Sequence, residues 1–175
     1  LAITANDPLR FLDAALQTSK PQAMLGMVAQ LGRQVANRND SQLAAGLVIV
    51  LARSTSGAEA LKAAALQSLT ANLAPDVKPA LNTALSDAAK QLLAAPQTTG
   101  PILPLIARWG FADQVGEAAK AAVAKAIARL ADKSLSDDER AQVAANLLGV
   151  RALDANILPA VTALVAGDAS AALQR

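Results

Sequence analysis

Apolar residues recur at intervals of three and four along most of this chain, which is the spacing of one face of an α-helix. The clearest stripe consists of Leu81, Leu85, Ala88 and Leu92, with polar residues on the opposite side. Polar, glycine-containing or proline-containing stretches separate one such segment from the next. The pattern therefore predicts a series of amphipathic helices joined by short connections, and an all-α fold.

Several helix starts are marked by residues that cap the first turn. Asp7 followed by Pro8 is typical of an N-cap and the first helical position. Three capping boxes, in which a serine precedes glutamate or glutamine by three residues, occupy residues 19–22, 56–59 and 136–139. We expect a helix to begin at each of these four places.

Prolines and glycines mark further boundaries in the middle of the chain. Pro75 and Asp76 predict the start of the helix that carries the leucine stripe, and residues 96–100 predict a break. After that break, we expect a short helix that begins near Pro101 and ends at Gly110, because glycine tolerates the left-handed conformation found at helix ends.

The last third of the chain predicts a long helix and a helical hairpin. Asp113 is expected to cap the long amphipathic helix, and Gly149 to end the helix that follows the last capping box. Asn156 is expected to cap the next helix, which leaves Pro159 in its first turn, where a missing N–H costs little. Because the connection is short, the two helices should lie antiparallel.

Weak internal repetition suggests how these helices are arranged. The capping boxes at 56–59 and 136–139 start 80 residues apart, which equals two units of about 40, and "PILP" at 101–104 resembles "NILP" at 156–159. Helix pairs repeating at this period are typical of HEAT and armadillo-type arrays. We therefore expect an α-solenoid of antiparallel helix pairs with about 8–10 helices, and an irregular helical bundle is the alternative.

Two segments carry a resemblance to the HEAT family. "NILPAVTALVAGDASAALQR" (residues 156–175) resembles a HEAT unit, and "ERAQVAANLLG" (residues 139–149) resembles the second helix of one. The chain is also similar to the HEAT-rich middle segments of large bacterial secreted proteins, which lie between a sugar-dehydrogenase-like propeller and a c-type haem domain. This resemblance implies a single helical-repeat domain, residues 1–175, that is a piece of a longer polypeptide. It also implies a periplasmic or exported location, which the residues themselves leave open.

Composition excludes many chemistries. The chain has no histidine and no cysteine, so the usual ligands of zinc, haem and iron–sulfur clusters and the usual nucleophile–base pairs are missing. No glycine-rich phosphate loop occurs. The acidic cluster of Asp137, Asp138 and Glu139 could bind calcium, but acidic residues are also typical of a helix start, and we favour that interpretation. The sequence predicts no catalytic residue, cofactor or metal site, and we do not expect an enzyme.

The most distinctive cluster is Arg108, Trp109 and Phe111, which surrounds a glycine. Tryptophan and arginine are common at binding hot spots, so the cluster is our candidate interaction surface. Alternatively, the two rings fill a corner between helices. A resemblance to HEAT-like DNA glycosylases would depend on Arg108, Trp109 and Asp113 alone, and a small-molecule-binding helical bundle would need an apolar pocket near Trp109.

Charge and hydropathy restrict the partners. The net charge is +2, too small for a long-range field. Lys120, Lys125, Arg129 and Lys133 follow one long helix, but acidic residues interrupt them and aromatic residues are scarce, so we expect a solvated face and not a nucleic-acid groove. The longest apolar run, residues 43–52, is about half the ~20 residues of a membrane span. The preferred function is a non-catalytic scaffold, spacer or protein-interaction module whose partners are proteins or neighbouring domains of the same polypeptide.

Overall fold

The chain is helical through most of the residues that the structure describes. The structure is a computed structural model that describes residues 7–17, 20–54, 58–151 and 153–166. These residues form helices and connections without a β-strand, so the prediction of an all-α fold is confirmed. In this part of the chain there are nine helices: α1 (Pro8–Leu16), α2 (Pro21–Asn37), α3 (Ser41–Arg53), α4 (Glu59–Asn72), α5 (Thr83–Ala94), α6 (Pro96–Trp109), α7 (Ala112–Leu130), α8 (Asp137–Leu148) and α9 (Ile157–Ala166).

Each helix packs against helices that are one or two places away in the chain. The even-numbered helices form one series of contacts, α2 with α4, α4 with α6, and α6 with α8. The odd-numbered helices form a second series, from α1 to α3, α5, α7 and α9. Helices adjacent in sequence join the two series. All substantial contacts between the described helices are therefore local in sequence.

The most extensive contact joins α2 and α4, and a glycine permits it. A methyl group added at Gly32 would lie 2.5 Å from the carbonyl oxygen of Ala65, which is closer than real side chains come. Val28 and Val35 on α2 and Leu66 on α4 are fully buried in the core beside this crossing. The absence of a side chain at Gly32 therefore allows two helix backbones to approach closely.

Predicted caps are confirmed at both ends of the described chain. The Asp7 carboxylate accepts the N–H of Arg10 at 3.1 Å, and Pro8 is the first residue of α1. The capping box at 136–139 forms before α8, with the Ser136 side chain and the Glu139 carboxylate each bonded to the other residue's backbone. The capping boxes predicted at 19–22 and 56–59 contain residues 19 and 56–57, which lie outside the described residues. The helices predicted there begin at Pro21, after Lys20 as N-cap, and at Glu59, after Ala58 as N-cap.

The predicted helix start at Pro75 and Asp76 is wrong. Residues 73–82 are non-helical, and α5 begins at Thr83 with the Asn82 side chain accepting the N–H of Leu85 at 2.9 Å. Pro79 explains the delay, because it has no N–H to donate and disfavours helical geometry at the residue before it. The leucine stripe beyond this start is confirmed, since Leu85 and Leu92 are buried.

The predicted break at residues 96–100 is also wrong, because these residues form the first turn and a half of α6. The break lies at Ala95, and Pro96 is the first residue of the helix. The Thr98 and Thr99 hydroxyls donate to the carbonyls of Leu92 and Leu93 at 2.6 and 2.9 Å, so they satisfy the end of α5. Pro101 is therefore inside a helix. The stop at Gly110 is confirmed, with φ 75° and ψ 27°.

Two other predicted boundaries differ in detail. Asp113 is not the N-cap of α7, because the helix begins at Ala112 and Asp113 lies in its first turn. Gly116 interrupts α7 with φ 40° and ψ −115°. The helix before Gly149 ends where it was predicted to end, but Gly149 has right-handed angles, φ −63° and ψ −18°, so left-handed freedom is not what ends it.

The last described hairpin agrees with the predicted arrangement in part. Pro159 is in the first turn of α9, as expected, and α9 packs against α8 and α7. Before α9, the Asp154 carboxylate accepts the backbone and side-chain N–H groups of Asn156 at 2.8 and 2.9 Å. The Gly-Asp turn and second helix expected from the HEAT resemblance fall on residues 167–175, outside the described residues. Among the helices described, none has the length and apolar character needed to cross a bilayer.

The α2–α4 crossing predicts opposite effects of the same substitution at two glycines of one helix. Gly32→Ala should destabilise the protein by about 1–3 kcal/mol, because the new methyl group collides with a backbone carbonyl. Gly26→Ala should stabilise it by about 0.5–1 kcal/mol, since Gly26 is exposed in α2 with nothing within 4 Å. Urea unfolding of both variants provides the measurement. Equal effects of the two substitutions would show that the crossing is not close at Gly32.

Candidate interaction groove

Arg108 lies at the end of α6 and bonds to the end of α4. Its Nη1 donates to the carbonyl oxygens of Thr70 and Leu73 at 3.1 and 2.9 Å. These carbonyls lie at the helix C-terminus, where a cation interacts favourably with the helix dipole. Thr70 in turn donates its hydroxyl to the carbonyl of Pro101 at 3.2 Å. The guanidinium group therefore serves to join α6 to α4.

Trp109 and Phe111 are core residues, each 5% exposed. The indole Nε1 donates to the carbonyl of Val77 at 3.1 Å, and the two ring centroids are 5.7 Å apart. Between the rings, Gly110 turns the chain, with the N–H of Phe111 bonded to the carbonyl of Ile106 at 3.0 Å. This geometry matches the alternative in which the rings fill a corner between helices.

The candidate cluster therefore holds residues 73–77 against the end of α6. With its ring buried, Trp109 offers a partner little surface, and Arg108 is bonded to carbonyls of its own chain. Asp113 is exposed in the first turn of α7, so the three residues of the glycosylase resemblance do not form an open site. Trp109 lines neither of the two grooves described below.

A groove of about 740 Å³ runs along the even-numbered helices, and this is the site that sequence reasoning missed. It is lined by one residue of α2, by one face of α4, by the first half of α6 and by one face of α8. Ala94, the last residue of α5, and the second half of α7 complete the lining. Apolar atoms make up most of this lining, which is typical of binding pockets.

Alanines on α4 form one side of this groove. Ala60, Ala63, Ala64 and Gln67 line it, and their spacing of three, one and three residues places them on a single helix face. The opposite face of α4 buries Leu61, Leu66 and Leu69, among others. Helix α4 is thus apolar on two faces. Leucines form the buried face, and alanines form the face that lines the groove. The alanine spacing was the sequence signal for the second face.

The α6 wall of the groove is shaped by a glycine and two prolines. A methyl group added at Gly100 would lie 2.6 Å from Nδ2 of Asn146, so the amide of α8 packs onto the bare backbone of α6. Pro96 and Pro101 also line this wall, and Pro101 lacks the N–H group that would normally reach the carbonyl of Gln97. This wall therefore combines a small residue with a backbone acceptor that has lost its usual donor.

Charged groups lie along one edge of the groove. Lys125 and Arg129 line it from α7, four residues apart and hence on the same face of the helix. Within the described residues neither forms an ion pair. Glu139 is the one acidic residue in the lining.

The predicted basic face of α7 is therefore not uniform. Lys120 pairs with Glu117 at 3.1 Å and is exposed, as expected for a solvated face. Lys133 follows the end of α7 and lines a second groove, of about 690 Å³, between α7, α8 and α9. Lys125 and Arg129 belong to the larger groove.

The acidic cluster at the start of α8 functions as a helix cap. Ser136 donates its hydroxyl and its N–H to the Glu139 carboxylate at 2.7 and 2.9 Å. Asp137 pairs with Arg140 at 2.6 Å. In the described part of the chain, carboxylates do not gather in a group of three that could hold a metal ion. The capping interpretation of this cluster is confirmed.

The hydroxyl of Ser136, followed by its backbone N–H, lowers the pKa of Glu139. Because the folded-state pKa is depressed, the associated stability is present above the ordinary glutamate pKa and is lost as the pH falls. Ser136→Ala should therefore raise the pKa of Glu139, and the variant should lose less stability than the unmodified protein as the pH falls. NMR titration of the Glu139 carboxyl carbon measures this shift. Asp132, whose pKa is lowered by Ser134, is the internal control, and its pKa should be the same in the variant and in the unmodified protein.

Trp109 provides a second test of the site geometry. Trp109→Phe keeps a ring in the core but leaves the Val77 carbonyl without its donor, so we expect a loss of about 1–3 kcal/mol. In the unmodified protein, the single tryptophan should emit as a buried indole and resist quenching by iodide. Ready quenching would show that the indole is available to a partner.

Comparisons with known proteins give no relative from which a function could be transferred. No family model matches the chain. Neither the curated proteins nor the solved structures contain a match to it. The function is therefore argued from the groove and from the arrangement of the helices.

Proposed function

We propose that the chain is a non-catalytic helical-repeat module that binds a protein partner, or a neighbouring domain of the same polypeptide, in the groove along its even-numbered helices. Its helices would form an α-solenoid of stacked antiparallel pairs, similar to a HEAT array. One observation carries this proposal: residues of α4, α6 and α8, which are successive members of one contact series, line the same groove.

The contact pattern supports a solenoid over an irregular bundle. In a stack of helix pairs, each helix meets its partner in the pair and its equivalent in the next pair. The substantial contacts between the described helices follow this rule, because they join helices one or two places apart. In a bundle around a shared centre, helices distant in the chain would also be expected to pack together.

The chemistry of the groove supports binding over catalysis. Alanine, leucine and proline make up about half of its lining residues, and amide, hydroxyl and charged side chains make up most of the rest. The one carboxylate in the lining, Glu139, is bonded to Ser136. With no histidine or cysteine anywhere in the chain, the groove has no nucleophile–base pair to activate a substrate. An apolar trough with polar edges is typical of a protein-binding surface.

Small-angle X-ray scattering tests the stacked arrangement. A compact domain of this length has a radius of gyration of about 16 Å. A solenoid of nine or more helices should give a larger value and an asymmetric distance distribution. A radius near 16 Å with a symmetric distribution would favour the irregular bundle and contradict the proposal. The measurement should be repeated at several concentrations, so that self-association is not mistaken for elongation.

A further inference from the structure

The shape of the groove indicates the kind of partner segment that it fits. On α4, the groove-facing side carries the small, half-buried residues Ala60, Ala63 and Ala64. Small side chains allow a second helix to approach closely, and they leave room for larger side chains from that helix. No β-strand with a free edge occurs in the described residues, so they offer no sheet edge to which an extended peptide could add as a strand.

The polar edge of the groove indicates the charge of that segment. Lys125 and Arg129 are one helical turn apart on α7, and neither forms a salt bridge in the described residues. Hydrogen bonds from serines lower the pKa of Glu139 and of Asp132 the most, and the charge of Arg129 makes a minor further contribution. The only acidic side chain in the lining, Glu139, already accepts two hydrogen bonds from Ser136. A partner with carboxylates along one flank would complement the two cations, and a partner with cations there would be repelled.

We propose that the groove binds an acidic amphipathic helix of a partner protein. Apolar residues of that helix would fill the space over the alanines of α4, and carboxylates on its flank would pair with Lys125 and Arg129. This inference rests on the proposed function and specifies the partner. A nucleic acid is disfavoured, because the lining has no aromatic residue on which bases could stack.

Two labelled peptides test the proposal by fluorescence anisotropy. Both are 16-residue amphipathic helices with leucines at i, i+4, i+7 and i+11, and they differ only in carrying glutamate or lysine on the flank. The unmodified protein should bind the acidic peptide at least about tenfold more tightly than the basic one, a ratio that corresponds to about 1.4 kcal/mol. Added salt should reduce the difference.

Charge reversal on the protein gives the decisive comparison. Lys125→Glu combined with Arg129→Glu should weaken binding of the acidic peptide about tenfold or more and should strengthen binding of the basic peptide. Lys78→Glu combined with Lys90→Glu changes the net charge equally at exposed sites outside the groove, and it should leave both affinities unchanged. Circular dichroism melting should show that both double variants remain folded. If the double variant unfolds, Lys125→Glu alone replaces it, and this single variant should change both peptide affinities in the same directions by a smaller factor.

Filling the groove separates this inference from the proposed function. Ala63→Trp should abolish binding of the acidic peptide, and Ala84→Trp, at an exposed site on α5 outside the groove, should not. If both peptides bind equally and Ala63→Trp abolishes both, the acidic partner is wrong and the groove function stands. If neither peptide binds, or if Ala63→Trp has no effect, the helix-binding inference fails, whatever the scattering result.

Two other occupants would also overturn the inference. A labelled oligonucleotide that binds, and loses affinity on Lys125→Glu with Arg129→Glu, would identify the edge as a phosphate-binding surface. Light scattering after size exclusion tests a second copy of the chain, because a dimer that Ala63→Trp converts to a monomer would show that the groove is a self-association surface.

Discussion

Every described helix is stabilised by burying its apolar face against helices one and two places away in the chain. A short amphipathic helix cannot bury its face alone, so each helix contributes to the stability of its neighbours. Alanine and glycine set how close these contacts are. Gly32 lies against the backbone of α4, and Ala65 on the facing helix is fully buried. The closest helix crossing thus depends on residues that contribute almost no side chain.

Small residues on another face of α4 also explain the groove. Where alanines face a neighbouring helix, the helices approach and the surface is buried. Where they face outward on α4, between α6 and the second half of α7, nothing fills the space above them and a trough results. The packing that holds the stack together and the opening that a partner could occupy therefore have one origin, the small volume of alanine.

Polar side chains in this molecule mainly satisfy carbonyls at helix ends. Arg108 bonds to the end of α4, Thr98 and Thr99 bond to the end of α5, and Lys62 reaches the carbonyl of Ser54 at the end of α3 at 3.1 Å. Lys62 is 5% exposed and also pairs with Glu59 at 2.9 Å. These bonds satisfy acceptors that helix ends leave unpaired. They explain why charged and hydroxyl groups within the core of this chain are structural.

The helical class, the apolar stripes and the caps at Asp7 and Ser136 could be predicted from the sequence, because each depends on residues within a turn or two of one another. It misplaced the start of α5 and the break before α6. At Pro79 a local restriction was overlooked, and at Thr98 and Thr99 hydrogen bonds to the preceding helix keep residues 96–100 helical. The role of Trp109 and the alanine groove were decided by tertiary structure alone. Spacing along one helix shows which residues share a face, but whether a ring is buried or an alanine face is open depends on which helix lies opposite.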